Sequence, residues 1–110
     1  MSKPTILIVE DSEPTRLHLE KAIAQGKLFN VIASVGNYVA AAELIQKQPP
    51  DILLTDLDLP DGTGIDLITL FRDTASENGL AIVISVFADG EHVINALKAG
   101  ASGYLLKGDD

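Results

Sequence analysis

Short apolar runs alternate with amphipathic segments along the whole chain, which narrows the possible folds more than any other property of the sequence. The runs are rich in Val, Ile and Leu and show little polar alternation, as in strands buried on both faces of a sheet. They lie at Ile6–Val9, Val31–Val35, Ile52–Leu54, Ala81–Val86 and Tyr104–Leu106. The pattern predicts parallel strands joined by right-handed helical crossovers, which is a doubly wound α/β sheet.

Four amphipathic segments between the runs have the apolar spacing of helices. Ser12 and Pro14 are start signals for the first segment, and Pro49 is a stop signal for the second. Gly79 and Gly100 follow the third and fourth segments as stop signals. The residues predicted to face the core are Leu19 and Ile23 in the first segment, Ala41, Leu44 and Ile45 in the second, Ile65, Leu67, Ile68 and Phe71 in the third, and Val93, Ile94 and Leu97 in the fourth.

The composition fits a single folded domain and excludes several classes of function. With 110 residues, of which 46% are hydrophobic and 22% charged, the chain can bury one core. Its formal net charge of −8 argues against binding a nucleic-acid backbone. Cysteine is absent, and the first apolar run is too short for a signal peptide or a membrane span. We therefore expect one cytoplasmic domain over residues 1–110, with no membrane partner.

Chemically useful side chains follow four of the five runs. Glu10 and Asp11 come after the first run, and Asp56 comes after the third. Ser85 lies near the end of the fourth run, and Lys107 lies just beyond the fifth. In doubly wound sheets the functional site lies at the carboxyl ends of the strands. If the central strands are neighbours, the carboxylates of Glu10, Asp11 and Asp56 converge on one pocket.

Three carboxylates in one pocket indicate a bound cation. Two unit charges about 5 Å apart repel by about 3 kcal/mol at an effective dielectric constant of about 20, so three pairs sum to about 10 kcal/mol. That energy is comparable to the whole stability of a small domain. Because Glu10, Asp11 and Asp56 offer oxygen ligands alone, the ion that fits best is Mg²⁺ with several retained waters.

The same residues form a set suited to phosphoryl transfer. Asp56 can supply the nucleophile. A metal ion, the Ser85 hydroxyl and the Lys107 ammonium can neutralise the oxygens of the transferring group. Each residue alone also has a plainer interpretation, because Glu10 and Asp11 could form a solvated loop and Lys107 could be a solvated charge. Four strand ends that each supply the required type of side chain favour the site.

Four segments of the sequence resemble the receiver domain of bacterial two-component response regulators. They are ILIVEDSEPTR, PPDILLTDLDLPDGTGIDLI, AIVISV and ALKAGASGYLLK, and together they extend over essentially the full length. The resemblance implies a flavodoxin-like, five-stranded parallel sheet with strand order 2-1-3-4-5. The ending GASGYLLKGDD is more similar to receivers joined to helix-turn-helix DNA-binding domains of the LuxR type.

By this resemblance, the acidic residues have defined roles. Asp56 is the phosphoacceptor in a reaction that depends on Mg²⁺. The metal ligands are Glu10, Asp11, Asp56 and the backbone carbonyl oxygen of Asp58. The chain would catalyse its own phosphorylation and slow dephosphorylation without being a turnover enzyme in the usual sense.

The remaining site residues would transmit the response. Ser85 and Lys107 would contact the phosphoryl oxygens, and movement of the Ser85 hydroxyl would free space for Tyr104 to turn inward. The surface of the fourth helix and fifth strand would then change and control an output, which we expect to be transcription. The implied partners are a sensor histidine kinase or a phosphotransfer protein, a second copy of the chain through that surface, and DNA only through a separate output domain.

The sequence departs from the family pattern in three places. Ser85 stands where threonine is commoner, so the methyl group that stiffens the rotamer is lost. Val86 stands where many relatives have alanine or glycine, and we expect narrower access to the phosphoryl pocket. Lys107 is followed by Gly108, Asp109 and Asp110 instead of proline.

Two other functions fit parts of the same pattern. A haloacid-dehalogenase-like phosphatase also has Asp-x-Asp after a strand, then a serine or threonine, then a lysine. Asp56 with Asp58, Ser85 and Lys107 imitate that order. In that family, however, the aspartate follows the first strand, and Glu10 would have no role. The second alternative is an interaction module that works without phosphorylation, and the intact site residues count against it.

We expect the natural chain to continue beyond Asp110 into a fifth helix that this sequence lacks. The run Gly103–Leu106 would be an edge strand, and in this family a helix normally covers its flank. About four buried apolar side chains at ~1.5–3 kcal/mol each give an upper bound of roughly 6–12 kcal/mol. Without the helix, the chain would self-associate through an apolar face and be less stable than a longer form. The residues Gly108–Asp110 are typical of a turn into a helix start.

Overall fold

The computed structural model describes residues 3–74 and 78–107, which form a sheet with helices on both of its faces. The strands of the sheet are β1 (Thr5–Val9), β2 (Asn30–Val35), β3 (Ile52–Asp56), β4 (Leu80–Ser85) and β5 (Gly103–Leu106). The helices of these ranges are α1 (Glu13–Gly26), α2 (Tyr38–Lys47), α3 (Gly64–Thr74) and α4 (Gly90–Ala99). Between β3 and α3, a short antiparallel hairpin pairs Asp58–Leu59 with Gly62–Thr63.

The five strands are parallel and pair in the order β2-β1-β3-β4-β5. This arrangement confirms the predicted doubly wound sheet and its strand order 2-1-3-4-5. Because every crossover returns the chain to the same end of the sheet, the carboxyl ends of β1, β3 and β4 lie side by side.

Two apolar clusters hold the layers together. The larger cluster joins one face of the sheet to α2, α3 and α4, and its buried members include Leu7, Leu53, Ile45, Phe71 and Ala96. The smaller cluster joins the other face to α1 through Ile8, Leu54 and Ile84, with Leu19 and Ile23 packed against them. Within residues 3–74 and 78–107, one face is thus covered by three helices and the other by one.

Several predicted helix boundaries are confirmed. Ser12 is the N-cap of α1, and its side chain accepts a hydrogen bond from the N–H of Thr15, with a proline in the first turn. The helix α2 ends before Pro49. Gly100 ends α4 with a left-handed φ of 115°, a conformation that favours glycine.

The predicted core stripe of the fourth helix is wrong in part. Ala96 is the buried residue of α4, and Val93 is half-buried. Ile94 and Leu97 remain 52% and 51% exposed. The helix approaches the sheet through a small side chain, and apolar spacing alone does not distinguish that face from its larger neighbours.

The edges of the sheet are less buried than the apolar runs predicted. The central strand β3 is buried throughout, whereas β2 is half-buried over most of its length. In β5, Leu105 and Leu106 are 54% and 43% exposed. The fourth strand ends at Ser85, one residue earlier than predicted, and Val86 is 68% exposed.

The predicted turn at Gly108–Asp110 lies outside the described residues. Within the described ranges, none of the helices combines the length and the hydropathy that crossing a membrane requires.

Candidate functional site

Three carboxylates meet at the carboxyl ends of two central strands. Glu10 and Asp11 follow β1, and Asp56 ends β3, the neighbouring strand. One carboxylate oxygen of each residue lies within 4.8 Å of the other two. Glu10 is fully buried and Asp56 is 8% exposed, whereas Asp11 is exposed. The predicted convergence of these acids is present, and we call Glu10, Asp11 and Asp56 the acidic flank.

Hydrogen bonds fix the start of the acidic flank. The N–H of Glu10 donates to the carbonyl oxygen of Val35 on β2 at 3.0 Å. The N–H of Ser12 donates to Oε2 of Glu10 at 3.1 Å. Because Ser12 also caps α1, the chain passes from strand to helix directly after the two acids. The sequence order of strand, acid pair and capping serine therefore orients the Glu10 side chain.

A tight return of the chain after β3 fixes the backbone of Asp56. The hairpin brings the N–H of Gly64 to 2.7 Å from the carbonyl oxygen of Leu57. A Cβ at Gly64 would collide with the carbonyl oxygen of Asp56, so the start of α3 requires glycine. The Thr55 hydroxyl donates to the same Asp56 oxygen at 2.9 Å.

Lys107 brings a positive charge into this cluster from the edge of the sheet. Its Nζ lies 2.6 Å from Oε1 of Glu10 and donates to Oδ2 of Asp56 at 2.7 Å. Burial works to lower the pKa of Lys107, but the hydrogen bonds to Asp56 and Glu10 outweigh it and raise the pKa above its usual value. Lys107 is therefore charged at neutral pH.

This ammonium changes the electrostatic argument drawn from the sequence. That argument counted three carboxylates without an internal cation, and it made an external cation necessary to the fold. With Lys107 paired to Glu10 and Asp56, two formal negative charges remain uncompensated. A divalent ion matches the remaining charge, but the fold already neutralises part of the cluster by itself.

The donor chemistry of the acidic flank fits Mg²⁺. Burial raises the pKa of Glu10, and the hydrogen bonds from Lys107 and from the N–H of Ser12 offset this only in part. A carboxylate anion that water solvates poorly is stabilised by a nearby cation. The donors of the cluster are carboxylate oxygens, the ligands that hard divalent cations prefer.

Asp58 lies apart from the acid cluster. It is exposed and lines a groove whose wall also contains Thr63, His92 and Asn95, the last two on α4. Its carboxylate is not a member of the cluster formed by the acidic flank. The use of its backbone carbonyl oxygen as a metal ligand stays a prediction.

Ser85 and Tyr104 meet at a residue that the sequence did not single out. Ser85 is 1% exposed, and its Oγ accepts a hydrogen bond from the N–H of Phe87 at 3.1 Å. The half-buried Tyr104 donates its hydroxyl to the carbonyl oxygen of Phe87 at 2.6 Å. The Phe87 ring stacks on His92 of α4 with the ring centroids 4.2 Å apart. We call Ser85, Phe87 and Tyr104 the switch flank.

The start of α4 is tied to this flank. Asp89 is the N-cap, and its carboxylate accepts hydrogen bonds from the ring and the backbone N–H of His92. These bonds, first that from the ring and then that from the N–H, lower the pKa of Asp89. Phe87 therefore connects Ser85, Tyr104 and the first turn of α4.

Asp61 is a second residue whose role sequence reasoning missed. In the sequence, Asp61 followed by Gly62 is typical of a turn. Its carboxylate accepts hydrogen bonds from the N–H groups of Tyr38 at 2.6 Å and Val39 at 3.0 Å, at the start of α2. These bonds lower the pKa of Asp61, the bond from Tyr38 having the larger effect. The hairpin after Asp56 is thereby attached to α2, and no local signal predicts a partner so distant in sequence.

Comparison with known proteins agrees with the fold. Residues 6–110 match the response regulator receiver domain family. The nitrate/nitrite response regulator protein NarL of Escherichia coli is 34% identical over 103 residues, which are 94% of this chain and 47% of that protein. The chain thus spans about half the length of this relative.

Two solved structures are also similar. The signal receiver domain of the putative response regulator NarL from Mycobacterium tuberculosis matches with a TM-score of 0.91 and 26% identity, over 100% of this chain and 88% of that one. A two-component response regulator of the LuxR family from Aurantimonas sp. matches with a TM-score of 0.88 and 27% identity, over 99% of this chain and 77% of that one.

Proposed function

Because the chain belongs to the response regulator receiver domain family, we propose that it is a signalling switch that accepts a phosphoryl group on Asp56. The observation that supports this most is the contact between Nζ of Lys107 and Oδ2 of Asp56, 2.7 Å long, within a cluster of carboxylates. A nucleophilic carboxylate, an ammonium and a potential metal site are thus in contact.

In the proposed reaction, a carboxylate oxygen of Asp56 attacks the phosphorus of a donor. The bond between phosphorus and the donor breaks, and an aspartyl phosphate forms. The donor is a phosphohistidine of a sensor kinase or of a phosphotransfer protein, or a small acyl phosphate. Lys107 pairs with one phosphoryl oxygen, and the Ser85 hydroxyl donates to another. Slow hydrolysis at the same site removes the phosphoryl group and restores Asp56.

The proposed cofactor is Mg²⁺. Glu10, Asp11, Asp56 and the backbone carbonyl oxygen of Asp58 would hold it. When bound, the ion would neutralise part of the charge on the transferring phosphoryl group. Glu10 and Asp56 are the ligands already fixed by burial and hydrogen bonds, whereas Asp11 is exposed.

The switch flank supports a route by which phosphorylation changes the surface of α4 and β5. If the Ser85 hydroxyl turns toward the phosphoryl group, it leaves the N–H of Phe87. Tyr104 is bonded to the same residue, so its position would change together with that of Phe87. The loop between β4 and α4 would then shift, and α4 with it.

We propose that this surface contacts the output or a second copy of the chain. Ile94 and Leu97 expose about half of their apolar surface on α4. The Escherichia coli relative is named as a nitrate/nitrite response regulator, and this chain spans 47% of it. Control of transcription would thus require a DNA-binding output domain outside the present sequence.

We also propose that further chain covers the face of the sheet opposite α4. Leu105 pairs in register with Ile84, which belongs to the apolar cluster under α1. Leu105 is 54% exposed and Leu80, at the start of β4, is 45% exposed. A fifth helix over these residues would remove an apolar patch from water.

The two alternative functions have less support. A phosphatase of the haloacid-dehalogenase type would have its aspartate after the first strand, whereas Asp56 ends β3 and the family match is to receivers. In an interaction module without phosphorylation, the contact between Lys107 and Asp56 would serve only to neutralise part of the acid cluster.

Phosphorylation by a small donor tests the proposed function. Acetyl phosphate with Mg²⁺ should add the mass of one phosphoryl group to the intact chain, and chelation of Mg²⁺ should prevent this. Asp56→Asn should abolish the addition, whereas Asp58→Asn, which keeps the backbone carbonyl, should allow it. Multiple turnover of p-nitrophenyl phosphate would support the phosphatase, and an unmodified chain with Mg²⁺ present would support the interaction module.

A further inference from the structure

Arg16 makes a hydrogen bond to the backbone of the acid pair Glu10 and Asp11. The proposed phosphoryl transfer does not use this residue directly. Its Nη1 donates to the backbone carbonyl oxygen of Glu10 at 2.8 Å. The carbonyl of Glu10 and the N–H of Asp11 belong to one planar peptide unit. Because the guanidinium holds this oxygen, it also holds the orientation of the peptide unit from which the Asp11 backbone continues.

Asp11 needs such a constraint more than the other two acids. Glu10 is fully buried and Asp56 is 8% exposed, so packing and hydrogen bonds limit their side chains. Asp11 is exposed, and packing does not hold its carboxylate toward the cluster. The orientation of its peptide unit is therefore the main local determinant of where its oxygens lie.

Gly36 provides the space for this guanidinium. It follows Val35, whose carbonyl oxygen accepts the N–H of Glu10. A Cβ at Gly36 would lie 2.9 Å from Nη1 of Arg16, closer than nonbonded atoms approach, while its nearest backbone contacts would be ordinary at 3.7 and 3.8 Å. Gly36 has no positive φ, so its backbone does not require glycine. A side chain at Gly36 would therefore displace the flexible guanidinium of Arg16.

We propose that Arg16, in the space left by Gly36, is a positioning residue that sets the Mg²⁺ affinity of the acidic flank. The inference rests on the proposed metal site. Residues that orient metal ligands without touching the metal commonly change affinity by ~10–100-fold when they are replaced. Arg16 would do so through the peptide unit between Glu10 and Asp11.

The direction in which the Mg²⁺ affinity changes distinguishes a positioning role of Arg16 from a simple effect of its charge. If Arg16 acted only as a nearby positive charge, its removal would make the site more negative and Mg²⁺ would bind more tightly. If it positions Asp11, its removal weakens binding despite the lost repulsion. Gly36→Ala separates the two further, because it displaces the flexible guanidinium without removing its charge from the chain.

Calorimetric titration of the unphosphorylated chain with Mg²⁺ alone measures this effect. We expect the Kd to rise about tenfold in Arg16→Met and in the same direction in Gly36→Ala. The double variant should bind about as weakly as Arg16→Met alone, because both changes remove one interaction. Lys21→Met, which removes an exposed charge from the same helix, should leave the Kd unchanged.

Denaturant melts without Mg²⁺ show whether each variant is folded, so a general loss of structure is distinguished from a loss of affinity. An unchanged or lower Kd in both Arg16→Met and Gly36→Ala, with the wild type binding normally, would overturn this inference and leave the proposed function intact. A wild-type chain that does not bind Mg²⁺ would overturn the metal site and the role of Arg16 with it.

Discussion

The acidic flank and the switch flank both lie at the carboxyl end of the sheet, but different strands hold them in place. The acidic flank extends from β1 and β3, each of which pairs with a strand on both sides. The switch flank involves β5, an edge strand with one neighbour, the loop after β4, and Ser85 at the end of β4 itself. Glu10 is fully buried, whereas two of the four residues of β5 are exposed, Leu105 and Leu106.

This difference separates the residues that would carry out phosphoryl transfer from the residues that would transmit its effect to the surface. Segments with few buried apolar contacts open and shift more easily than the core of a sheet. The two buried acids, Glu10 and Asp56, lie on the part that resists movement. Phe87, in the loop after β4, and Tyr104, on the edge strand β5, lie where a shift is easier. Lys107 follows the edge strand β5 but contacts Glu10 and Asp56, so it links the two flanks.

The largest difference should appear in the free energy of unfolding, when one leucine is shortened in β3 and another in β5. Leu53→Ala in β3 removes a fully buried side chain from the larger cluster, and we expect a loss of about 3–5 kcal/mol in the free energy of unfolding. Leu105→Ala, at a site 54% exposed, should lose less than about 1 kcal/mol. Urea unfolding measures both values. Similar losses would mean that the two strands are equally anchored.

A second contrast concerns the rate of phosphorylation. Asp11→Asn removes a proposed metal ligand, and the rate of modification by acetyl phosphate should fall at least about 100-fold. Tyr104→Phe should leave the rate unchanged, because its hydroxyl bonds to Phe87 and not to the acidic flank. Time courses of intact mass give both rates. A slow Tyr104→Phe variant would show that the switch flank takes part in the chemistry.

Removing the Tyr104 hydroxyl should loosen the switch flank alone. The lost hydrogen bond to Phe87, 2.6 Å long, contributes about 1 kcal/mol. Amides of the loop after β4 should thus exchange hydrogen about fivefold faster in Tyr104→Phe, while those of β3 exchange as before. Tyr38→Phe, which removes a hydroxyl on α2, is the matched control. Equal acceleration in β3 would contradict the separation of the flanks.

The smallest effect should come from Asp61, which attaches the hairpin after Asp56 to α2. Its pKa lies below the ordinary value of 3.8 because it accepts the N–H groups of Tyr38 and Val39. A lowered folded-state pKa means that the ionised group stabilises the fold above about pH 3.8, and that this contribution disappears as the pH falls through the folded-state pKa. Asp61→Asn should therefore lower the Tm slightly at pH 7.

The difference in Tm between Asp61→Asn and the wild type should shrink as the pH falls below 3.8. Asp66→Asn, an exposed acid at the start of α3, is a control for the general effect of net charge. A difference that persists unchanged at low pH would show that the charge of Asp61 does not hold the hairpin to α2.

The acidic flank could be predicted from sequence because its information is local. Each acid directly follows an apolar run, and a parallel sheet brings such positions together. The prediction that was incomplete was energetic: the ammonium of Lys107, 51 residues from Asp56, neutralises part of the cluster. Apolar runs locate strands well but carry no information on ion pairs between their ends.

The switch flank was harder to predict because its contacts depend on tertiary packing. The Tyr104 hydroxyl donates to the carbonyl oxygen of Phe87, 17 residues earlier. Because every residue has a backbone carbonyl, the sequence does not mark which one accepts this bond. The stripe of α4 was misplaced for a related reason. Ile94 and Leu97 have helical spacing, but Ala96 faces the sheet because a small side chain allows close approach. Asp61 and Arg16 likewise act through backbone groups that sequence patterns do not mark.

The location of the phosphoryl group decides whether Asp56 is the acceptor. The chain is treated with acetyl phosphate and Mg²⁺, reduced with borohydride, which converts an aspartyl phosphate to homoserine, and then digested and sequenced by mass spectrometry. We expect homoserine in place of Asp56 and unmodified aspartate at Asp11 and Asp58. Homoserine at Asp11 or Asp58 with Asp56 intact would contradict the assignment. A chain that contains no homoserine after treatment in the presence of Mg²⁺ would contradict it as well.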